Sequence, residues 1–174
     1  YAIWIQPNGQ TVVLNECTID MLDCTDGRGI KIDQQYLGAD DIKKVTLNVS
    51  NTTFKTEEKG AIIVKSAAGA DIVLNNVNIE GVAADDENAV WVDEDAAEYY
   101  DLVTVTGGTK FQEGAVLVTT LDGLKEELQK AGAADAGNTT IVISANIDMT
   151  GKEWTPIKVD GYNGADVVTV YGNN

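Results

Sequence analysis

Two strand-like phrases, Ala61-Ile62-Ile63-Val64 and Ile72-Val73-Leu74, lie either side of a short glycine-containing turn and decide the fold of this chain. Side chains alternate faces along a β-strand, so the outer two apolar residues of each phrase point the same way. The same pair of phrases recurs along the chain. Self-similarity at a near-constant period indicates stacked structural units, each of which contributes one layer to a shared core.

The first phrase is a small residue followed by apolar, variable and apolar residues, and its copies lie 26–32 residues apart. The copies are Ala2-Ile3-Trp4-Ile5, Gly29-Ile30-Lys31-Ile32, Ala61-Ile62-Ile63-Val64, Ala89-Val90-Trp91-Val92 and Ala115-Val116-Leu117-Val118. The second phrase follows four of them as Val12-Val13-Leu14, Val45-Thr46-Leu47, Ile72-Val73-Leu74 and Val103-Thr104-Val105. A third short piece ends in Ile19, Phe54, Ile79 or Phe111. Stacking predicts two ladders, Ile3–Ile30–Ile62–Val90 and Leu14–Leu47–Leu74–Val105.

Three short strands per repeat, with apolar inward positions and Asn or Gly at the corners, predict an all-β fold. We expect a right-handed parallel β-helix, a solenoid of about five to six rungs, because one rung cannot bury its own apolar face and must stack on neighbours. An antiparallel sandwich is the alternative. It also contains many short strands, but it gives no reason for the triplets to recur in one order.

Residues 121–131 interrupt this repeat. Leu121, Leu124 and Leu128 share one helical face and Gly132 is a stop signal, which predicts one amphipathic helix near 121–131. Beyond it the alternating pattern resumes at Ile141-Val142-Ile143, Ile147-Asp148-Met149, Ile157-Lys158-Val159 and Val168-Thr169-Val170.

Two stretches carry a resemblance to a known family. They are Val103-Thr104-Val105-Thr106-Gly107-Gly108-Thr109 and the run from Thr140-Ile141-Val142-Ile143 through Ile147-Asp148-Met149-Thr150-Gly151 to Trp154-Thr155-Pro156-Ile157. The chain resembles the right-handed parallel β-helix repeat proteins of microbial cell surfaces, a superfamily with adhesin-like and pectate-lyase-like members. In such proteins a strand and an amphipathic helix often open a β-helix, and the helix caps its end. The resemblance covers most of the chain in pattern and specifies fold better than activity.

The resemblance implies β-helix rungs over residues 1–114 and a strand, capping helix and further rungs over 115–174. Two alternatives remain open. The helix is a side insertion in one continuous solenoid, or the chain begins within one β-helix and carries the start of the next. In the second case the end near Val168 and Val170 would stack on the start near Ile3 and Ile5 of another copy, since open ends expose unpaired strand backbone. That predicts a head-to-tail filament.

Composition narrows the partners. The chain has 174 residues, and 12 Lys and Arg against 28 Asp and Glu give a net charge of −16, which disfavours nucleic acid and anionic membrane surfaces. It has no run of about 18 apolar residues, so we expect no membrane insertion. Because it begins at Tyr1 in strand-like sequence, we expect a processed chain or an excised fragment. Cys17 and Cys24 form one small-loop disulfide or remain free thiols.

Catalytic chemistry finds little support in the sequence. The chain has no histidine, which excludes Ser-His-Asp and Cys-His catalysis and any His-bearing zinc site. The pectate-lyase-like and polygalacturonase-like motif sets are incomplete, and Arg28, the only arginine, is interpreted as a corner residue. We therefore predict that the protein is not an enzyme. We expect no cofactor other than Ca²⁺, for which Asp93 and Asp95 are candidate ligands, although their spacing favours a solvated acidic loop.

Aromatic residues are the candidate ligand contacts. Trp4 and Trp91 occupy the outward position of the same phrase, with Lys31 and Ile63 between them in the stack, and Tyr99 and Tyr100 follow in a nearby loop. Exposed rings on a flat β face can stack on sugars or anchor a protein partner. The alternative is that the loop covers them. Three sequons begin at Asn48, Asn51 and Asn138 and are glycosylation candidates.

Two functions fit these observations. The first is a non-catalytic extracellular or cell-surface module with a structural or adhesive role, which binds other copies of itself or neighbouring β-helix modules. The second is a carbohydrate-binding or polysaccharide-degrading β-helix protein with a glycan as its partner. An enzyme would present converging carboxylates in a groove, whereas a structural module would show scattered loop acids.

Overall fold

The computed structural model describes residues 1–24, 27–56, 60–81, 89–133, 137–143, 145–154 and 167–172. The strand expected at Ile157-Lys158-Val159 lies outside these residues. The chain is mostly β, with parallel sheets, and divides into two compact units, Tyr1–Glu113 and Gly114–Asn174.

The first unit contains two parallel sheets. Its strands are β1 (Ile3–Ile5), β2 (Thr11–Asn15), β3 (Thr18–Asp20), β4 (Ile30–Asp33), β5 (Val45–Thr56), β6 (Ile62–Lys65), β7 (Ala70–Gly81), β8 (Ala89–Val92), β9 (Val103–Thr106) and β10 (Thr109–Gln112). The first sheet has the order β1-β4-β6-β8-β10, and the second has the order β2-β5-β7-β9, with β3 also paired to β5. A short 3₁₀ helix spans Ala39–Asp41, and a kinked 3₁₀ segment spans Glu94–Leu102.

The first sheet has the register that the repeat predicts. Ile3 lies opposite Ile30, Ile30 opposite Ile62, and Ile62 opposite Val90. Ile30, Ile62 and Val90 are buried in the core. Each strand contributes an isoleucine or valine that packs against the corresponding residue of the next strand. The row therefore forms a continuous core that no single strand could provide.

The second sheet corrects the predicted ladder. Leu14 lies opposite Val49 rather than Leu47, and Val49 lies opposite Leu74. The other inward row is Val12–Leu47–Ile72–Val105. The predicted alignment was therefore wrong by two residues in part of the row. A shift of two residues returns every side chain to the same face, so alternation fixes the face of a strand without fixing its register.

Strands β5 and β7 turn a corner without breaking. Asn51 and Asn76 have positive φ values of 48° and 51° at that corner, and Glu16 has a φ of 57° between β2 and β3. The Asn51 Nδ2 donates to Asn15 Oδ1 at 3.1 Å, and the Asn76 Nδ2 donates to Asn51 Oδ1 at 2.8 Å. Asn tolerates the left-handed conformation better than most residues. The side-chain amides of Asn51 and Asn76 therefore hydrogen-bond at the corner where the backbone has positive φ.

Phe111 and Val116 also depart from the predicted repeat. Ile19, Phe54 and Ile79 do form one row, but Phe111 belongs to β10 of the first sheet, opposite Trp91. The fifth strand of that sheet is therefore β10, and the phrase at Val116 lies in the second unit. The pattern placed this strand in the wrong row because Lys110 occupies the place of the apolar residue that marks the first phrase.

The second unit has one parallel sheet and a helix. Its elements are β11 (Val116–Val118), α1 (Leu121–Ala131), β12 (Thr139–Ile143) and β13 (Val168–Gly172), with sheet order β11-β12-β13. The predicted helix is confirmed over residues 121–131. Thr120 Oγ1 accepts from the Gly123 N–H at 3.1 Å, and the Gly132 N–H donates to the Leu128 carbonyl, so both ends are capped. In the described residues, no helix is long and apolar enough to span a membrane.

Candidate functional site

The outward row of the first sheet begins with Trp4. Trp4 lies opposite Lys31, Lys31 opposite Ile63, and Ile63 opposite Trp91. Exposure changes along this row, from 43% at Trp4 to 1% at Ile63. The 3₁₀ segment packs against β6, β8 and β10. The row is therefore open to solvent at its Trp4 end.

Three exposed aromatic rings gather at that end. The Lys31 Nζ lies 4.8 Å from the Trp4 ring centroid and 4.9 Å from the Tyr1 centroid. Tyr36 lies 5.5 Å from Trp4, centroid to centroid, with a 37° tilt. A cation within about 6 Å of an aromatic face is attracted by the ring quadrupole. We call Tyr1, Trp4 and Tyr36 the aromatic cluster, and Lys31 is the cation that joins two of its rings.

Lys31 is itself held in place by Asp33. The Lys31 Nζ lies 2.6 Å from Asp33 Oδ2, and the Asp33 side chain is 5% exposed. Asp33 Oδ1 accepts from the Gln35 N–H at 2.9 Å, which ties the carboxylate to the loop after β4. The Trp4 Nε1 donates to the Asp33 carbonyl at 3.5 Å. A largely buried, hydrogen-bonded ion pair thus holds Lys31 next to Trp4, the one ring of the cluster that lies on a strand.

A groove of about 430 Å³ is lined by Lys31, the residue that also contacts the rings of Tyr1 and Trp4. The other lining residues come from β4 and the turn after it, from the end of β6 and from the 3₁₀ segment. The polar side chains along it are Lys31, Asp33, Gln34, Gln35, Lys65, Asp95, Glu98 and Tyr99. Its size is in the range of small-molecule sites, which typically span about 300–1,000 Å³. We call it the β4–β6 groove.

The predicted calcium ligands face a lysine. The Lys65 Nζ lies 3.6 Å from Asp95 Oδ2 and 3.8 Å from Asp93 Oδ1. Asp93 Oδ1 also accepts from the Asp95 N–H at 3.0 Å and caps the 3₁₀ segment. Across the described part of the chain, no three His, Cys, Asp or Glu residues form a group that could hold a metal ion. The positive charge next to Asp93 and Asp95 is therefore the ammonium group of Lys65.

Of the four aromatic candidates, Tyr99 lines the groove and Trp4 contacts Lys31, another lining residue, whereas Trp91 and Tyr100 pack elsewhere. The Trp91 ring makes an edge contact with Phe111 at 3.8 Å between centroids, and its Nε1 is buried with no hydrogen-bond partner among the described atoms. Tyr100 is buried, with its ring 4.5 Å below the Lys110 Nζ. The burial of Tyr100 within the 3₁₀ segment agrees with the alternative that this segment covers aromatic residues rather than presenting them to a ligand.

The residues proposed as assembly ends lie on edge strands. In the described residues β1 pairs only with β4, and β13 pairs only with β12. Ile5 is buried and Ile3 is half-buried, so the β1 end already covers most of its apolar side chains. Val168 and Val170 are 40% and 46% exposed. Of the four residues proposed as assembly ends, the exposed ones are therefore the two on β13.

The sequons and cysteines lie in different settings. Asn48 is half-buried within β5, Asn51 belongs to the amide ladder, and Asn138 is exposed just before β12. Asn138 Oδ1 accepts from the Val167 N–H at 2.9 Å, which leaves its amide nitrogen on the outside. Cys17 and Cys24 are free thiols.

Sequence reasoning missed Tyr36, Gln34 and Gln35, which together shape the groove margin. In the sequence these residues form the run Gln34-Gln35-Tyr36 directly after a predicted strand. A polar turn with one aromatic residue is common at such a position and does not indicate a binding site. The contact with Trp4 is the informative feature, and it depends on which strands pair.

No protein-family model, curated protein or solved structure matches this chain. The function proposed below therefore depends on the geometry of the described residues.

Proposed function

We propose that this chain is a non-catalytic module of the cell surface, built as a right-handed parallel β-helix, that binds carbohydrate at the aromatic cluster and the β4–β6 groove. Its role is structural and adhesive. The observation that carries the proposal is the aromatic cluster itself, in which Lys31, paired with Asp33, contacts the exposed rings of Tyr1 and Trp4, and Tyr36 packs against Trp4.

The β-helix is supported by the order in which the chain visits its sheets. β1, β4, β6, β8 and β10 alternate along the sequence with strands of the second sheet, and each pairing is parallel. The amide ladder at Asn15, Asn51 and Asn76 repeats the same corner in three successive layers. Parallel strands of one sheet are joined by right-handed crossovers in about 98% of cases, which gives the handedness we propose.

Carbohydrate binding is supported by the chemistry of the cluster and groove. Tyr36 is 69% exposed and Trp4 is 43% exposed, so both offer ring surface to a ligand. Amide and carboxylate groups of Gln35, Asp95 and Glu98 line the groove with Lys31, which contacts Trp4, and they can exchange hydrogen bonds with hydroxyl groups. A flat aromatic surface with a few convergent polar groups suits a sugar ring, which has an apolar face and a polar rim.

A binding assay with matched variants tests the proposal. Calorimetry against a panel of hexasaccharides should detect binding that falls roughly tenfold or more in Trp4→Ala and Tyr36→Ala, a loss of about 1.4 kcal/mol. Trp154→Ala is the control, because Trp154 is 41% exposed but lies outside the cluster. Binding to no member of the panel, or equal binding by all four proteins, would contradict the proposal.

Polysaccharide cleavage is the second candidate, and one observation favours it. Asp95 and Glu98 are carboxylates in the same groove as Tyr99, and pairs of carboxylates carry out glycoside hydrolysis. Incubation with polygalacturonate and neutral glycans, with and without calcium, decides between the two. Release of reducing ends or unsaturated products that disappears in Glu98→Gln would replace our proposal with an enzymatic one.

Self-association through edge strands is a further part of the proposal. Head-to-tail stacking of β13 of one copy on β1 of another would cover the exposed Val168 and Val170 and form a filament. The extracellular location rests on the resemblance of the repeat to surface β-helix proteins. Sedimentation and electron microscopy should show assemblies that Val170→Lys disrupts. Compact monomers at every concentration would remove this part while leaving carbohydrate binding untouched.

A further inference from the structure

We infer that the β4–β6 groove selects an uncharged oligosaccharide over an acidic one; this inference rests on the proposed carbohydrate-binding function. The groove contains two lysines, and a lysine in a sugar site ordinarily suggests a carboxylate or sulfate ligand. The pairing of these two lysines excludes that interpretation.

The positive charge of Lys31 is already paired with a carboxylate of the protein. Its ammonium is 2.6 Å from the Asp33 carboxylate, and the two side chains are only 15% and 5% exposed. Its remaining directions face the rings of Tyr1 and Trp4. An acidic sugar would have to displace Asp33, which would leave a buried carboxylate without its partner, and this is costly in a protein interior.

Lys65 is paired in a more exposed setting, with 36% of its own side chain and 78% of the Asp95 side chain accessible. Its ammonium lies within 4 Å of both Asp93 and Asp95, and Glu98 adds another carboxylate to the same wall. The carboxylates of the groove therefore outnumber its lysines. With a net charge of −16 on the whole chain, a polyanionic glycan would approach against both the local and the overall field.

Uncharged hydroxyl groups match what the groove offers instead. Gln34 Oε1 accepts from the Ala67 N–H at 2.6 Å, which fixes the amide and leaves its NH₂ group as a donor to a ligand. Asp95 and Glu98 are exposed acceptors, and a sugar hydroxyl serves as donor and acceptor at once. The electron-rich faces of Trp4 and Tyr36 favour the C–H face of a neutral ring and repel an anionic one.

Matched hexamers test the inference directly. Cellohexaose and mannohexaose are the neutral probes, hexagalacturonate is the acidic probe, and hexalysine tests for a basic partner. We expect a neutral hexamer to bind at least tenfold more tightly than hexagalacturonate, and we expect that affinity to stay unchanged when salt is raised to about 1 M, where the Debye length is about 3 Å.

A charge variant adds an independent readout. Asp95→Asn/Glu98→Gln removes two carboxylates from the groove wall and should raise the affinity for hexagalacturonate while lowering that for the neutral hexamer. Trp4→Ala should weaken the neutral hexamer, and Trp154→Ala should not.

The possible outcomes separate the two proposals. Tighter binding of hexagalacturonate by the wild-type chain overturns the inference and leaves carbohydrate binding standing. Binding of hexalysine alone, or of no probe, overturns both. Salt-independent binding of a neutral hexamer, lost in Trp4→Ala, supports both.

Discussion

The Arg28 guanidinium donates a 2.7 Å hydrogen bond to the Glu113 carboxylate, which joins two residues 85 positions apart in the sequence. The Arg28 side chain is 6% exposed and that of Glu113 is 22% exposed. Removing one partner leaves a largely buried charge without compensation. We expect Glu113→Gln to lower the free energy of unfolding by about 1.5–3 kcal/mol, measured by urea denaturation. Glu126→Gln, in an exposed pair with Lys130, is the control and should change little.

A double variant isolates the pair itself. Arg28→Met/Glu113→Gln should recover part of the stability lost in Glu113→Gln, because the buried arginine is then absent. Additive losses in the double variant would show that the two residues act separately.

The amide ladder predicts a difference between two substitutions at one position. Asn51→Gly keeps the positive φ at little cost and loses only the side-chain hydrogen bonds. Asn51→Ala also places a Cβ in the left-handed region, so we expect it to be less stable than Asn51→Gly by about 1 kcal/mol. Thermal denaturation measures this difference. Asn75→Ala, at an exposed strand position of the neighbouring β7, is the control. Equal stability of the Asn51 Gly and Ala variants would contradict a left-handed requirement.

Gly60 must remain small because of Trp91. A Cβ at Gly60 would lie 1.4 Å from the Trp91 Cδ1, so the ring has to move. We expect Gly60→Ala to lower stability by about 1–3 kcal/mol, the usual cost of overpacking, and to change the fluorescence of Trp91. Gly38→Ala is the matched control, since its Cβ would meet only Asp41 Oδ2 at 3.5 Å. A Gly60→Ala variant with wild-type stability and fluorescence would show that the site has room.

Lys110 predicts how stability depends on pH. Burial lowers the pKa of Lys110 below its ordinary value of 10.5, while the nearby Asp101 acts in the opposite direction. Between the lowered pKa and 10.5 the unfolded chain binds a proton that the folded chain has released, so stability rises with pH in that window. We expect the stability of the wild type relative to Lys110→Met to increase as the pH is raised from neutral towards 10.5. A difference that stays constant or falls would contradict this assignment.

The parts of the fold that the sequence predicted depend on local signals. The row Ile3–Ile30–Ile62–Val90 follows from a motif that each strand carries by itself, and α1 follows from the spacing of its leucines and its capping residues. Both signals can be read without knowing which strands pair.

The parts that failed depend on pairing. Leu14 could not be assigned between Leu47 and Val49 because both lie on the same face of β5. The strand at Phe111 was assigned to the wrong row because Lys110 stands where the first phrase carries an apolar residue. Its ammonium is bonded to the carbonyls of Tyr100 and Val103, at 3.3 and 2.7 Å, and the local sequence does not show these contacts.

The residues of the candidate site also divide into those with a local sequence signal and those that depend on strand pairing. Trp4 was found as an outward residue of a repeated strand. Tyr36 was missed because its value as a binding residue arises only from its position beside Trp4. Asp93 and Asp95 were candidate calcium ligands for which a solvated acidic loop was favoured, and their contact with the Lys65 ammonium depends on strand pairing that the local sequence does not show.

Lys110 also disfavours the addition of a further strand to the first sheet. It stands on β10, the last strand of the first sheet in the described residues, at the position where the preceding strands carry isoleucine or valine. Any strand laid against that edge would have to cover an ammonium or pull it from its carbonyl partners. Natural sheets use lysine at their edges to discourage such pairing. Lys110 therefore places a charge where this row would otherwise present another apolar side chain. We expect Lys110→Val to make that edge of the sheet more prone to pair with a strand of another chain.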